Sequence, residues 1–282
     1  MDFETRLEAD SSVIHVLCRL TSFFMLIGVA ASSPREAARD AGCVAIYRWV
    51  IEGVGRRRLS QHFLVDPSAA EYIVSLVPPG LDVIEVGPGR GALTFPLAAK
   101  SRRVYAIELD RELAEWLRQM APPNVVVIQG DALEVEWPHA DFFVSNIPYA
   151  VTSPLLLRLA SRRLPAVVTV QREVAHRLAA APGSGDYGRL TIAVRCHYDV
   201  EVLRVLPPQV FAPPPKVYSA VVRLTPRAPC VEDFEGFQRF TAWLFSARRK
   251  TLRRLGLSPS TKRVYQLSLE EIVELFRTSA GH

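Results

Sequence analysis

Asparagine occurs only twice in this chain, at positions 124 and 146, and lysine four times against thirty arginines. Scarce asparagine fits a protein adapted to heat. The arginine excess suits bidentate phosphate contacts, and a GC-rich genome would give the same bias. Cysteine is also sparse. Cys18, Cys43, Cys196 and Cys230 form no Cys-x-x-Cys pair, so neither a zinc site nor a disulfide framework is expected. The histidines form no His-Glu-x-x-His pattern, and no metal is expected. Internal repeats and low-complexity tracts are missing. The apolar run Phe23 to Ala31 is nine residues long, against roughly 20 for a membrane-spanning helix. The chain opens with Asp2, Glu4, Glu8 and Asp10, where a signal peptide would carry positive charge. No membrane association is expected, and the chain reads as a cytoplasmic monomer.

What is present is globular. Of 282 residues, 49% are hydrophobic and 22% charged, enough for one large domain and a small one. The net charge of +5 and a pI near 9.2 point to a polyanionic partner. Three parts are expected: an extension over residues 1–55, an α/β domain over 56–227, and a small basic helical domain over 228–282. The extension carries no readable chemistry. Ser33-Pro34 looks like a helix start, so the segment reads as two short helices or as an upstream extension from a misassigned start.

From residue 56 onward the order of motifs is informative. Arg56-Arg57-Arg58 precedes the cluster Leu59-Ser60-Gln61-His62-Phe63-Leu64, and Asp66-Pro67 marks a helix entry. Asp82 to Val86 reads as a strand ending in Gly87-Pro88-Gly89-Arg90-Gly91, with a helix over Ala92 to Lys100. Strand, glycine loop and helix open a nucleotide-binding α/β unit. The same loop matches the dinucleotide pattern Gly-x-Gly-x-x-Ala, so an NAD enzyme is a competing reading. Arg103 to Glu108 is the second strand, and Glu108 lies 21 positions after Gly87, where a carboxylate meets ribose hydroxyls. Asp110 reads as a helix cap. Val125 to Gln129 gives the third strand and leads to Asp131, which is placed to accept from an adenine amino group or simply to make a Gly-Asp turn.

The fourth strand runs into Asn146-Ile147-Pro148-Tyr149. These residues suit a flat base with an exocyclic amine, whose lone pair is delocalised into the ring. The Asn146 side-chain carbonyl and the Ile147 main-chain carbonyl would each accept one amine hydrogen and aim the lone pair at an electrophile. Pro148 adds no competing N–H, and Tyr149 offers a stacking face. A plain turn has the same composition. Further on, helices are expected over Ser153–Ala160 and Glu173–Ala180, and strands over Ala166–Val170, Leu190–His197 and Val217–Leu224. Between the last two lies Phe211-Ala212-Pro213-Pro214-Pro215-Lys216, read either as a wall with Phe211 opposite Tyr149 or as a linker with Phe211 in the core. From Arg239 to Arg263 there are eight basic residues and no acidic ones, including Arg248, Arg249 and Lys250. A one-sign block beside a base-sized site fits phosphate contact.

Taken together, these segments resemble the KsgA-type small-subunit (16S) rRNA adenine-N6,N6-dimethyltransferases, in an archaeal-like form, from about Arg56 to Leu255. The resemblance rests on Leu59–Leu64, Glu85–Gly91, Glu108–Asp110, Gly130–Ala132, Asn146–Tyr149, Gln171–Ala175, Asp186–Leu190, Phe211–Val217 and Arg248–Leu252. It implies a Rossmann-like class I fold and S-adenosyl-L-methionine as cofactor. His62 and Leu64 would lie at the methionine end near Gly87, Glu108 at the ribose, Asp131 at the adenine, and Asn146 between donor and target. The family often has Asn where this chain has His62. The implied substrate is a pair of adjacent adenosines in a hairpin loop near the 3′ end of small-subunit rRNA, within the 30S particle. Tyr149, Phe211, Arg248, Arg249 and Lys250 would contact that RNA. Methylation of large-subunit rRNA, or a ribosome-assembly role without catalysis, are the alternatives.

Overall fold

The computed structural model describes residues 62–279. The expectations for residues 1–61, including the arginine triplet, therefore lie outside the described residues. The elements run β1 (Phe63–Leu64), α1 (Pro67–Ser75), β2 (Asp82–Val86), α2 (Thr94–Ala98), β3 (Arg103–Glu108), α3 (Arg111–Met120), β4 (Val125–Gln129) and β5 (Phe142–Asn146). They continue with α4 (Thr152–Arg162), β6 (Ala166–Gln171), α5 (Arg172–Ala179), α6 (Arg189–Arg195), β7 (Tyr198–Leu206), β8 (Phe211–Ala212), β9 (Ser219–Pro226), α7 (Phe234–Ser246) and α8 (Leu269–Ser279).

Capping residues set the starts of two early helices. The Asp66 carboxylate accepts from Ala69 N at 2.7 Å, with Pro67 at the first helical position, where its missing N–H costs nothing. Asp110 accepts from Glu112 N and Leu113 N at the start of α3, so its cap reading holds.

The main sheet has the order β4-β3-β2-β5-β6-β9-β7. The strands from β4 to β6 are parallel, and β9 and β7 are antiparallel. Alternation along each strand builds two apolar layers. Val83, Val104, Val144, Val167 and Val221 face one side with Ile73 and Leu97. Ile84, Ile107, Phe143, Val168 and Val222 face the other with residues of α4, α5 and α6. Phe237, Leu244, Val264 and Ile272 of the C-terminal part join this second layer.

Chain order reverses between β2 and β5. β3 and β4 lie on one side of β2, while β5 and β6 lie on the other. Such a reversal opens a crevice at the carboxyl ends of the two strands, where ligands of open α/β sheets bind. The buried Ser145 hydroxyl donates to Val86 O at 2.7 Å and ties those two strand ends together.

Two expectations are corrected. Leu190–His197 is not a strand: Arg189–Arg195 is helical, and the strand is Tyr198–Leu206. Leu190, Ile192, Ala193, Val194 and Cys196 are all buried, and a short run buried all round has no period that separates helix from strand. The expected absence of disulfides also fails, because Cys196 and Cys230 are bonded, with Cα atoms 5.0 Å apart. The pairing of Tyr198 with Pro226 across β7 and β9 brings the flanking segments together, and Cys230 N donates to Cys196 O at 3.0 Å. Sequence spacing carries no trace of that proximity.

Candidate active site

At the end of β2, Gly87, Gly89 and Gly91 all have positive φ (68°, 54° and 76°), which side chains with a Cβ adopt at a cost. Pro148 lies 3.4 Å from where a Gly87 Cβ would stand, and the Phe63 ring 2.9 Å from a Gly89 Cβ. The loop therefore passes close under both the segment after β5 and the strand β1.

Glu108 closes β3 beneath this loop. One carboxylate oxygen accepts from Gly89 N at 3.0 Å and the other from Asp110 N at 2.9 Å. Burial raises its pKa, and these main-chain donors oppose the rise. Each carboxylate oxygen keeps a further lone pair, so the group can brace the glycine loop and still receive two hydroxyls. At the end of β4, one Asp131 oxygen accepts from Leu133 N at 2.8 Å. The plain turn reading of Asp131 is thus correct for that oxygen, and the second oxygen remains to meet a ligand.

At the end of β5, Asn146 Nδ2 donates to the main-chain carbonyl of His62 at 3.2 Å. This bond fixes the amide the right way round, with its Oδ1 left to accept. His62 is itself anchored: its Nδ1 lies 2.7 Å from Pro213 O. A carbonyl only accepts, so Nδ1 carries the proton. The His62 ring faces the Tyr149 ring, with centroids 5.4 Å apart and planes tilted by 38°. The Tyr149 hydroxyl shares a 2.8 Å hydrogen bond with the hydroxyl of Ser219, which is fully buried.

Three residues expected at the site sit differently. Phe211 is only 3% exposed and sits in the apolar layer with Leu64, Leu206 and Val221. The core reading of Phe211 is therefore the right one, and the ring against Tyr149 is His62. Leu64 is buried in the same layer and pairs with Phe211 across β1 and β8, so contact with a ligand would run through its main chain. Arg248 is engaged too, donating to Gly185 O at 3.0 Å and Tyr187 O at 3.1 Å. Arg249 and Lys250 are exposed. The eight-charge block is not unopposed either: Arg239 pairs with Glu235 and Lys262 with Glu271.

Reading the residues alone gave no role to Glu85 or Ser219. Glu85 is 1% exposed on β2, and its Oε2 has no hydrogen-bond partner. Burial pushes its pKa up to about 8, helped by the Glu108 charge and opposed by the Thr94 hydroxyl. A carboxylate inside Asp82-Val83-Ile84-Glu85-Val86 was a usable signal, since charged residues are seldom fully buried. Ser219, 70 residues from Tyr149, gave none. Among the described residues no cluster could hold a metal ion, and no helix is long and apolar enough to cross a membrane.

Parallel strands ending in a glycine loop, a carboxylate and an asparagine around one switch point define a Rossmann-like class I methyltransferase. The chain belongs to the ribosomal RNA adenine dimethylase family, whose model matches residues 54–273. It is 75% identical over 224 residues to a probable ribosomal RNA small subunit methyltransferase A of Pyrobaculum islandicum, covering 79% of this chain and 95% of that protein. A ribosomal RNA small subunit methyltransferase A of a Burkholderia species is 41% identical over 70% of this chain and 78% of its own. Among solved structures, a dimethyladenosine transferase from Plasmodium falciparum superposes with a TM-score of 0.67 at 25% identity, covering 77% of this chain and 96% of that one. The 23S rRNA methyltransferase ErmE does so at 0.57 and 30% identity, covering 76% and 98%. The methyl donor is S-adenosylmethionine, and the NAD reading falls away.

Proposed function

We propose that this chain dimethylates the exocyclic nitrogens of two adjacent adenosines in the hairpin loop near the 3′ end of small-subunit rRNA, in the 30S particle. One observation carries the reading at the atomic level. The Asn146 amide is held through its nitrogen by His62 O, which leaves its carbonyl oxygen as an acceptor. An adenine N6 hydrogen donated to that oxygen, with the second hydrogen on the Ile147 carbonyl, leaves the nitrogen lone pair pointing away from both. The bound donor supplies an electrophilic methyl on a sulfonium. Asn146 is neutral, so it orients the amine without removing a proton beforehand and sets no negative charge beside that sulfonium. Tyr149, steadied by Ser219, supports the target base from one side, and His62 lines the opening next to it.

For the donor, Glu108 would hold the ribose, Asp131 the adenine, and the main chain around Gly87 and Leu64 the methionine end. The groups present fit that role, since Glu108 and Asp131 each keep accepting capacity and the glycine loop leaves room for close approach. Arg249 and Lys250 would meet RNA phosphates. The relatives named as small-subunit enzymes favour that substrate over large-subunit rRNA. On this reading the protein works as a monomer in the cytoplasm.

The test is incubation with labelled S-adenosylmethionine and unmethylated small subunits, followed by mapping of the label. Two dimethylated neighbouring adenosines are expected. Label on large subunits alone would overturn the substrate. Tight binding to small subunits without any transfer would favour the assembly role.

A further inference from the structure

Tyr218 and Val217 are 45% and 40% exposed, although each flanks or approaches a buried strand. Tyr218 directly precedes Ser219, the partner of the Tyr149 hydroxyl. β9 runs antiparallel to β6, with Ser219 opposite Gln171, so Tyr218 stands on the rim formed by the carboxyl ends of the parallel strands. That is the rim that carries Asn146. Ser219, the first residue of β9, is fully buried and bonded to Tyr149, whereas Tyr218 just before the strand is exposed. The Arg172 guanidinium lies over the Tyr218 ring, 5.1 Å from its centroid, and Arg172 N donates to Tyr218 O at 2.9 Å. Arg172 is itself exposed. An aromatic ring backed by a cation, left open on one side and fixed by its main chain, is how single-stranded nucleic acids are held without base readout.

From this arrangement we infer that Tyr218, backed by Arg172, is a stacking subsite for the nucleobase next to the one being methylated. The inference rests on the function proposed above. Tyr218 is bonded to Ser219, whose hydroxyl meets that of Tyr149, so the exposed ring and the ring of the base site are carried by adjoining positions of one sheet rim. When the target base is turned into the pocket it loses its stacking neighbour in the loop. Tyr218 replaces that neighbour for the base left outside, and Arg172 meets the phosphate between them. With two adjacent substrates, each adenosine would occupy the outer subsite while the other is in the pocket.

The experiment is a cycle between protein and RNA. Affinity is measured by fluorescence anisotropy for the wild type, Tyr218→Ala and Tyr218→Phe. The RNAs are the intact hairpin and hairpins with an abasic residue on either side of one target adenosine. On the intact hairpin Tyr218→Ala should bind about 10-fold more weakly, while Tyr218→Phe, which keeps the ring, should match the wild type. On one abasic hairpin the wild type and Tyr218→Ala should bind alike, and that hairpin identifies which neighbour stacks. S-adenosylmethionine affinity should stay unchanged in both variants. Equal binding of Tyr218→Ala and wild type to intact RNA would overturn the subsite, as would a difference that survives on both abasic hairpins. Absence of wild-type binding to the intact hairpin would overturn it too, while methyl transfer to the particle judges the substrate separately.

Discussion

Asn146 Nδ2 donates to the main-chain carbonyl of His62, 3.2 Å away and 84 residues earlier in the chain. The bond uses only a main-chain oxygen, so it does not depend on the side chain at 62. The amide of Asn146 therefore stays correctly turned whatever side chain stands at position 62. Replacing Asn146 with Ala should lower both methyl transfers by about 100-fold or more, the usual scale for removing one preorganised polar group. Mass spectrometry of the rRNA, separating unmethylated, monomethyl and dimethyl adenosine, checks this. A variant that dimethylates at the normal rate rules the mechanism out. His62→Ala should keep the Asn146 bond and so lose much less activity.

Glu108 serves the glycine loop and the donor at once. Glu108→Ala should weaken S-adenosylmethionine binding by about 1.5–3 kcal/mol per charge-assisted bond lost. It should also lower the melting temperature without ligand, because Gly89 N and Asp110 N lose their acceptor. Calorimetry and thermal unfolding read the two effects separately. Unchanged affinity refutes the ribose assignment.

Glu85 makes stability depend on pH in a defined direction. Its carboxyl is raised from 4.5 to about 8 in the folded protein, so the folded state holds a proton that the unfolded state has released. The contribution is complete below about pH 4.5 and is lost as pH rises through about 8. Across that window its share of stability falls by about 1.4 kcal/mol per pH unit. Glu85→Gln lacks this proton, so the variant should gain on the wild type as pH rises from 5 to 8. Glu108 is raised as well and is present in both proteins, so the difference between them reports Glu85 together with its coupling to the Glu108 charge. Parallel denaturation curves over that range would count against a neutral buried Glu85.

The basic block should divide by function. Arg249→Ala with Lys250→Ala should weaken RNA binding and flatten its dependence on salt, with little change in melting temperature. Arg248→Ala should do the reverse, since it frees the Gly185 and Tyr187 carbonyls. An identical salt slope after loss of Arg249 and Lys250 would show that they do not meet phosphates.

The Cys196–Cys230 bond closes a 34-residue separation. By loop entropy such a link contributes on the order of 3–4 kcal/mol. Reduction, or the double change to Ser, should lower the melting temperature while leaving cofactor affinity intact. Equal melting with and without reductant would contradict the link.

The sequence by itself determined the strands β2 to β6 and β9, the glycine loop and the order of Glu108, Asp131 and Asn146. These signals are local: apolar runs of strand length, a φ that only glycine takes cheaply, and a polar residue where each run stops. It also determined the family, because many short motifs in one order leave little freedom. It did not determine Leu190–His197, where an apolar run buried on all sides has no period to read. Four further results were decided by contacts between distant segments. Phe211 joins the core because β8 pairs with β1. Arg248 is taken by carbonyls of a loop some 60 residues earlier. Cys196 meets Cys230 through the β7–β9 pairing. Tyr149 is held by Ser219, next to the exposed Tyr218, because β9 returns antiparallel beside β6. Pairing register is a property of two strands together, and no spacing along a single chain records it.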